Sequence, residues 1–413
     1  MVAPFMPDPE KLAAVREAIP ALGAGIYLNT GSAGPLPAEV ARAMDDLAAW
    51  ELRTGRGHPD YLLETLGRMD EARGAVAAIL TTEVDAIALT HSTTDGLNAA
   101  TWSIAWRPGD HALTTGLEHA GGVGALYPLR DRLDVELDFV DIGDGGDDGR
   151  TLEAFEAAFV PGTRLVLVSH VSWSTGAVLP IAALAKLAHD RGARLVVDGA
   201  QSAGAIPVDV PALGADFYAL SAQKWLLGPE GMGALAVAPD ALAESVPAFG
   251  GSFSFEEVDS AGTGRFWPDA RRFESSNFHR PSITGMARAI GWLSMYVGLD
   301  WIHARGTALA RHTAERLAEI PGVTVVTPIH QMATLVTFRI AGWPAETALR
   351  ELGARVFAIA RTVPVLDAIR ISVGFYSSEA ELARFVEAVG LLATHTPESI
   401  PPRRRLEILG QDG

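Results

Sequence analysis

The strongest constraint on the fold is an alternation of two kinds of segment between about residues 70 and 237. Short β-rich runs, such as 164–169, 194–197 and 217–220, are separated by stretches with helical periodicity, such as 182–189. Strands that alternate with helices of this length predict an α/β fold with a mainly parallel central sheet and helices on both faces. Ligands of such sheets bind beyond the carboxyl ends of the strands. We therefore expect a binding site where these strands end.

The pattern changes after residue 237. Residues 249–276 are rich in Gly, Ser, Phe and charged residues, which predicts a long functional loop, and the helices and short strands beyond it predict a smaller α+β domain. We expect a large domain at 27–280, a small domain formed by 1–26 and 281–396, and a polar tail at 397–413. The three consecutive arginines of that tail are interpreted as solvated.

Composition narrows the classes of function. A formal net charge of −17 over 413 residues disfavours nucleic-acid binding, which depends on clustered Lys and Arg. The chain contains no Cys, which excludes disulfides, thiolate metal sites and a cysteine nucleophile. The first twelve residues lack the features of a signal peptide, and the most apolar helical stretch, 290–302, is shorter than the ~20 residues of a membrane span. We expect a cytoplasmic protein with a small-molecule ligand, no bound metal and no membrane partner.

Two charged residues follow neighbouring apolar strands. Asp198 ends the run 194–197, and Lys224 comes 26 residues later, after the run 217–220. A carboxylate there is costly unless it meets a cation, and the protonated ring nitrogen of pyridoxal phosphate (PLP) is such a cation. A lysine with a lowered pKa is the group that reacts with the PLP aldehyde. Taken singly, a surface lysine and a turn-capping aspartate remain open alternatives.

A third segment is suited to bind phosphate. The sequence 91–96 (HSTTDG), which includes Thr93 and Thr94, lies directly between a predicted strand and a predicted helix. Hydroxyls and backbone N–H groups at a helix start can converge on an anion. The same residues are the best helix caps, so an ordinary N-cap is the alternative. Gln201 either donates to the oxygen of a cofactor ring or satisfies a loop.

Together these motifs resemble those of the class V aminotransferases, which are fold-type I PLP enzymes. The resemblance extends from Tyr27-Leu28-Asn29-Thr30 to Arg370-Ile371-Ser372. The family includes cysteine desulfurases, cystine carbon-sulfur lyases and isopenicillin N epimerase. It implies PLP as cofactor, an amino acid as substrate, and a homodimer in which residues 272–277, ending at Asn277, reach the phosphate of the neighbouring subunit.

The resemblance also implies individual roles. Lys224 binds PLP covalently, Asp198 pairs with the ring nitrogen, and His119 stacks on the ring, although a core histidine is the alternative for His119 considered alone. Arg370 receives the substrate carboxylate, which suits its bidentate fork, rather than forming a surface salt bridge. The remaining implied contacts are with the phosphate or the ring for Thr93, Thr94, Ser221, Gln223, Gln201 and Asn277, and with the substrate for Asn29 and Trp173.

Departures from the family pattern bear on the reaction. Gln223 stands where desulfurases usually have a histidine, Trp173 where they have an asparagine, and Asn277 where the family often has a threonine. Desulfurases hold sulfur as a persulfide on a cysteine, but the corresponding region, 359–369, contains no Cys. Arg361 in this region either contacts substrate or is structural.

These points favour β-elimination on a cysteine-derived substrate over sulfur transfer to a protein thiol. Lys224 would act as the general base. Transamination, epimerisation and decarboxylating deamination share the early steps, so the cofactor motifs leave them open. A non-catalytic PLP-binding protein is disfavoured because Lys224 and Arg370 are both present. The branch expected is thus that of carbon-sulfur lyases and isopenicillin N epimerase, not of cysteine-dependent desulfurases.

Overall fold

The computed structural model describes residues 8–275 and 277–402. The first seven residues, Ser276 and the tail 403–413 with its three arginines lie outside the described residues.

A seven-stranded sheet forms the centre of the larger lobe. Its strands are β2 (Ile87–Thr90), β3 (His111–Thr115), β4 (Glu136–Val140), β5 (Thr163–Ser169), β6 (Arg194–Asp198), β7 (Phe217–Ser221) and β8 (Gly233–Val237). Their order is β2-β8-β7-β6-β5-β3-β4, and only β8 runs antiparallel to its neighbours. The sheet is therefore mainly parallel, as predicted.

The other strands form smaller sheets. They are β1 (Ile26–Tyr27), β9 (Phe255–Val258), β10 (Gly264–Phe266), β11 (Val323–Val325), β12 (Leu335–Ile340), β13 (Ala358–Ile359), β14 (Arg361–Val363) and β15 (Ala368–Ser372). A four-stranded antiparallel sheet has the order β11-β12-β15-β14, and β1 pairs with β13. The bridge between Asn29 and Ser372 joins the N-terminal segment to this smaller sheet.

Helices cover both sheets. They are α1 (Asp8–Ala18), α2 (Ala38–Thr54), α3 (Pro59–Leu80), α4 (Thr93–Trp102), α5 (Ala120–Val123), α6 (Tyr127–Leu133), α7 (Asp148–Ala158), α8 (Ile181–Asp190), α9 (Val210–Leu213), α10 (Pro239–Glu244), α11 (Arg280–Gly291), α12 (Leu299–Ala318), α13 (Ala345–Val356) and α14 (Glu379–Ala393). Strands β2, β6, β7 and β8 are almost wholly buried, because helices cover both faces of the sheet.

The segment predicted to be one long loop contains regular structure. Strands β9 and β10 form a hairpin within it, and a 3-10 turn follows at Ala270–Phe273. Glu274, only 1% exposed, anchors the end of the segment through a paired hydrogen bond with the guanidinium of Arg73 at 2.8 Å. The prediction of a single loop was wrong here because a short exposed hairpin has little apolar alternation.

Two helices assigned to the small domain, α1 and α11, pack against the large domain. Helix α11 packs against α2 and α3, and its Ile283, Met286 and Ile290 lie in the same core cluster as the large sheet. Helix α1 bridges the lobes: Val15 lies in that cluster, whereas Arg16 forms an ion pair with Glu381 of α14 at 2.6 Å.

Two structural features are absent from residues 8–275 and 277–402. None of these helices is long and apolar enough to cross a membrane. No group of three or more His, Asp or Glu side chains in this part of the chain is placed to hold a metal ion.

Candidate active site

The carboxyl ends of three parallel strands lie side by side at one edge of the large sheet. Ser169, the last residue of β5, is in register with Asp198 at the end of β6. Strand β7 ends at Ser221, three residues before Lys224. The topology therefore gathers residues that are far apart in sequence, as the alternation of strands and helices predicts.

Lys224 lies on the turn that follows β7. Its backbone carbonyl accepts from Leu227, whose φ of 52° is left-handed, and the Gly34 N–H donates to the neighbouring Gln223 carbonyl at 2.6 Å. Burial lowers the pKa of the Lys224 amine, and the charges of Arg370 and Arg361 lower it further, whereas Asp198 opposes the shift. The amine thus loses its proton more readily than an exposed lysine does, as a nucleophile or base requires.

Asp198 is 6% exposed and forms no ion pair with another described residue. One carboxylate oxygen accepts from the Ala200 N–H at 2.9 Å. Burial raises the pKa of Asp198, and the positive charge of Lys224 and the Ala200 hydrogen bond oppose the rise. A buried carboxylate without a cation is costly, so a cationic ligand group opposite Asp198 would stabilise it.

His119 takes the N-cap position of α5. Its Nδ1 accepts from the Gly121 N–H at 3.0 Å, so in the neutral ring the proton is on Nε2. Burial lowers its pKa to about 4, assisted by the charges of Lys224, Arg361 and Arg370. A Cβ at Gly122 would lie 3.2 Å from Asp198 Oδ2, so the glycine leaves room beside the carboxylate.

The predicted phosphate ligands are partly assembled. The Thr93 N–H donates to Ser221 Oγ at 2.8 Å, and the two hydroxyls of these residues are 2.6 Å apart. Ser92 takes the N-cap position of α4 by accepting from Asp95 N–H, so the capping alternative applies to Ser92. A Cβ at Gly121 would lie 2.6 Å from Thr94 Oγ1. The start of α4 therefore offers hydroxyls and a helix N-terminus next to β7.

Two polar side chains of the predicted site have different surroundings. Gln201 is buried and already engaged, since its Nε2 donates to the Gly31 carbonyl at 2.8 Å and its Oε1 accepts from Trp225 at 2.9 Å. The buried Oε1 of Gln223 has no hydrogen-bond partner among the described residues. The loop-satisfying role of Gln201 is thus visible, and Gln223 retains capacity for a ligand.

Arg370 is the most unusual residue of the site. It is 0% exposed, yet it makes no ion pair with any residue of 8–275 or 277–402. Its guanidinium donates to the Trp173 carbonyl at 2.9 Å and to Ser32 Oγ at 3.4 Å, and its Nε has no partner in the same part of the chain. Burial and the charge of Arg361 lower its pKa to about 9. An unpaired buried guanidinium is suited to receive a carboxylate.

Arg361 joins Arg370 from the adjacent strand. The two residues are directly opposite in the β14–β15 pair, and Arg361 also donates to Ser32 Oγ, at 3.3 Å. Both guanidinium groups lie near the Trp173 ring, 5.3 Å and 5.9 Å from its centroid, and His119 meets that ring edge-on at 5.1 Å. The buried Trp173 Nε1 and Asn29 Oδ1 have no described partners. This group forms the side of the site next to Lys224.

Asn277 is the predicted residue that is not gathered into this group. It is exposed, and its carbonyl lies 3.3 Å from Nε2 of His91, which precedes the start of α4. Sequence reasoning also missed two contributors. The sequence assigned no role to Ser32, or to Glu118 although it directly precedes His119; the approach of distant segments places them beside Arg370 and Ser169.

Comparison with known proteins gives a consistent family. The family model described as aminotransferase class V matches residues 26–385. A "Probable cysteine desulfurase" of Mycolicibacterium paratuberculosis is 31% identical over 338 residues, which are 78% of this chain but 49% of that relative, so the chain spans about half of that relative's length. An isopenicillin N epimerase of Streptomyces clavuligerus is 30% identical over 89% of this chain and 94% of that protein.

A solved structure extends the comparison to the fold. The structure of C-DES, in a lysine-to-alanine mutant with glycine covalently linked to the PLP cofactor, is similar with a TM-score of 0.86 and 25% identity, covering 91% of this chain and 98% of that one. The expected fold class, fold-type I PLP-dependent transferase, is confirmed. The relatives' names do not support the expected exclusion of cysteine desulfurases.

The residues of the site fit PLP. Asp198 offers a buried carboxylate to a ring nitrogen, Lys224 offers an amine of lowered pKa to an aldehyde, and the start of α4 offers donors to a phosphate. Gln223 Oε1 has no hydrogen-bond partner among the described residues, so it is free to contact a ligand. The glycines at 121 and 122 leave space beside Thr94 and Asp198 that a side chain would fill. The cofactor expected from the sequence is therefore matched by the donor set that the fold assembles.

Proposed function

The chain belongs to the class V aminotransferase family of PLP-dependent enzymes, and on this premise we propose that it catalyses β-elimination on a cysteine-derived amino acid such as cystine. A cysteine conjugate or a cysteine sulfoxide would have the same reactive carbons and leaving sulfur. The observation that carries this choice is the absence of Cys from all 413 residues. Transfer of sulfur to a protein thiolate needs a cysteine, whereas elimination needs none.

The paired arginines support a substrate with two acidic groups. Arg370 would bind the α-carboxylate in the bidentate geometry that guanidinium groups favour. Arg361, directly opposite it on β14, would bind a second carboxylate, because neither arginine has an acidic partner among the described residues. Cystine carries two carboxylates, whereas cysteine carries one. The Trp173 ring beside both arginines would provide an apolar contact for the sulfur atoms.

The chemistry divides among the residues as follows. When bound, PLP supplies the electron sink that stabilises negative charge at the substrate's α-carbon. Asp198 would keep the ring nitrogen protonated, and neutral His119 would cover the ring without adding charge. Lys224 Nζ would remove the α-proton, after which the bond between Cβ and sulfur breaks and the electron pair leaves with the sulfur. For cystine, addition of one water then gives pyruvate, ammonia and cysteine persulfide.

The test compares products from three incubations of the purified, PLP-loaded protein. Pyruvate formed from cystine without any keto acid is the expected result. Alanine formed from cysteine in the presence of a thiol reductant would instead identify desulfuration, since that reaction protonates Cβ and retains the amino group. Turnover that requires both alanine and an α-keto acid, with no pyruvate from cystine, would overturn the proposal in favour of transamination.

Epimerisation is the second candidate, because the isopenicillin N epimerase relative is covered almost completely by this chain. It shares removal of the α-proton by Lys224, but the proton returns to the opposite face and the β-substituent stays. In deuterium oxide, an epimerase would incorporate deuterium at the α-carbon of both enantiomers. Epimerisation would be excluded if the recovered substrate carried α-deuterium in one configuration only and pyruvate was also formed.

We also propose that the enzyme is a homodimer whose sites are completed across the interface. Four large apolar side chains are exposed near the α2–α3 connection: Leu52 is 87% exposed, and Leu62, Leu63 and Leu66 are 54%, 69% and 39% exposed. Clustered apolar groups of this size are typical of protein interfaces. Asn277 is exposed as well, as a residue reaching a neighbouring subunit would be. Light scattering should give twice the 43.6 kDa of one chain.

A further inference from the structure

A buried carboxyl group, Glu118, lies one residue before His119 and has no role in the site as described so far. It is 8% exposed. Its Oε1 accepts from Thr115 Oγ1 at 2.8 Å and its Oε2 accepts from Ser169 Oγ at 2.5 Å. Within residues 8–275 and 277–402, no Lys, Arg or His forms an ion pair with it. Two hydroxyls hold the group in place, but no cation compensates its charge.

The same contacts tie Glu118 to the cofactor site. Ser169, which donates to Glu118, is in register with Asp198 on the adjacent strand, so their side chains project from the same face of the sheet. The chain that continues from Glu118 covers Asp198, since a Cβ at Gly122 would lie 3.2 Å from Asp198 Oδ2. The segment that carries His119 is therefore fastened to the sheet at Glu118, next to Asp198, the carboxylate that would pair with the ring nitrogen.

We propose that Glu118 is a positioning residue of the PLP site, which fastens the His119–Gly122 turn to Ser169 and changes the charge beside Asp198. Through the turn it would hold His119 in position to cover the ring of bound PLP. Through its charge it changes the stability of the protonated ring nitrogen, because a second negative group near Asp198 favours a cation there. The inference rests on the PLP site alone and holds for any of the reactions considered above.

The charge of Glu118 is expected to change near neutral pH. Burial raises the pKa of Glu118 to about 7, and the charge of Asp198 also raises it, whereas the Ser169 and Thr115 hydrogen bonds lower it. The other titratable groups of the pocket are Asp198, whose pKa burial raises, Lys224, whose pKa burial lowers, and His119, whose pKa burial lowers to about 4. Glu118 is thus a group whose charge changes near neutral pH, and Glu118→Gln separates its titration from those of its neighbours.

Two variants separate the two roles. Glu118→Gln removes the charge and keeps the size and an oxygen acceptor, whereas Ser169→Ala removes one hydrogen bond and keeps the charge. Glu136→Gln, at an exposed glutamate on β4, is the matched control. The readouts are the visible absorbance and circular dichroism of bound PLP between pH 5 and 9, and the Kd of the apo-protein for PLP. None of these requires a substrate.

The expected outcomes differ between the variants. Wild type and Glu136→Gln should show a spectral transition near pH 7 that Glu118→Gln lacks. In Ser169→Ala the transition should move to higher pH, because the lost hydrogen bond stabilises the Glu118 anion, and the Kd for PLP should rise about three- to tenfold. The dichroism of bound PLP should weaken as the turn over the ring loosens.

A wild-type transition that persists unchanged in Glu118→Gln would overturn the charge role. Wild-type PLP affinity and dichroism in both variants would overturn the positioning role. Should Glu118→Gln fail to fold, the direction of the pH shift in Ser169→Ala decides the matter. Loss of lyase turnover with these spectral results intact would refute the proposed reaction and leave this inference standing.

Discussion

A fully buried guanidinium without a carboxylate is an unfavourable arrangement, and Arg370 is held in that state by one carbonyl and one hydroxyl. In the proposed reaction, the substrate carboxylate would complete the ion pair. We expect Arg370→Met, which keeps the length and removes the charge, to leave the melting temperature within a few degrees of wild type. The apparent affinity for an amino-acid substrate should fall about 100-fold, since a buried charge pair contributes ~3 kcal/mol or more.

The control for Arg370→Met is Arg339→Met, at an exposed arginine on the neighbouring strand β12. Substrate-dependent changes in PLP absorbance give the affinity, and thermal unfolding gives the stability. A variant with unchanged substrate affinity would contradict the carboxylate role. One that lost both folding and affinity would instead mark Arg370 as structural.

Lys224 is expected to destabilise the apo-protein in a pH-dependent way. Its pKa in the folded chain is lowered from 10.5 by burial, so the folded state binds fewer protons than the unfolded state between the lowered pKa and 10.5. Stability therefore rises with pH through that window, and the penalty is complete below the lowered pKa. Lys224→Met should raise the melting temperature of apo-protein at neutral pH, by an amount that shrinks as the pH approaches 10.5.

The same variant tests covalent attachment. Borohydride reduction should fix PLP to the wild type and to Lys186→Met, which alters an exposed lysine, but not to Lys224→Met. PLP fixed covalently to Lys224→Met would show that another amine is the attachment site. A melting-temperature difference independent of pH would show that packing, rather than the buried charge, causes it.

At the scale of single residues, the sequence predicted the site residues that lie at strand ends. It did not predict the residues from distant segments that contact them. Asp198 and Lys224 follow apolar strands, so local pattern and spacing located both. Ser32 and Glu118 contact the site through segments more than 50 residues away, and a hydrogen bond to Arg370 or Ser169 leaves no local pattern. The neutral state of His119 likewise depends on its burial in the folded chain and on the charges of Lys224 and two distant arginines, which lower its pKa.

Among the elements, the segment 29–34 is packed closely against both parts of the site. It bridges to the small sheet at Ser372 and donates from Gly34 to the Gln223 carbonyl, so it joins the Arg370 strand to the Lys224 turn. A Cβ at Gly34 would lie 2.2 Å from the Lys224 carbonyl oxygen. No side chain fits there unless the backbone moves.

Gly34→Ala should therefore displace the Lys224 turn. We expect a loss of about 1–3 kcal/mol in the free energy of unfolding, as for other overpacked sites, and a weaker affinity for PLP. Gly23→Ala is the control, since nothing lies within 4 Å of a Cβ at that position, and it should be neutral or slightly stabilising. Denaturant unfolding and PLP titration measure the two effects. Equal behaviour of the two variants would show that the turn adapts without cost.

The elements themselves were predictable where burial or capping is strong. Strand β6 and helix α8 were expected to within about one residue, because one is continuously apolar and the other has a clear helical period. The hairpin of β9 and β10 was missed because its exposed strands alternate weakly. The sequence also did not predict that α11 packs against α2 and α3, because the apolar face of a helix does not show which elements it will contact.

For the whole molecule, the proposed dimer predicts that each active site contains residues of both subunits. If Asn277 reaches the phosphate of the neighbouring subunit, Asn277→Asp should weaken PLP binding at the partner's site by charge repulsion. Lys224→Ala disables the site of its own chain. Each variant alone should therefore be nearly inactive. In each shared site, however, Lys224 comes from one subunit and Asn277 from the other.

Mixing and reassociating the two variants discriminates shared from separate sites. In a mixed dimer, one site combines both defects, and the other combines an intact Lys224 with an intact Asn277 from the partner. Random reassociation makes half of the dimers mixed, so activity should recover to about a quarter of the wild-type value. Sites built within single subunits would give no recovery above the average of the two variants. Recovery should disappear when either variant also carries Leu63→Arg, because that substitution charges the exposed leucine surface assigned to the interface.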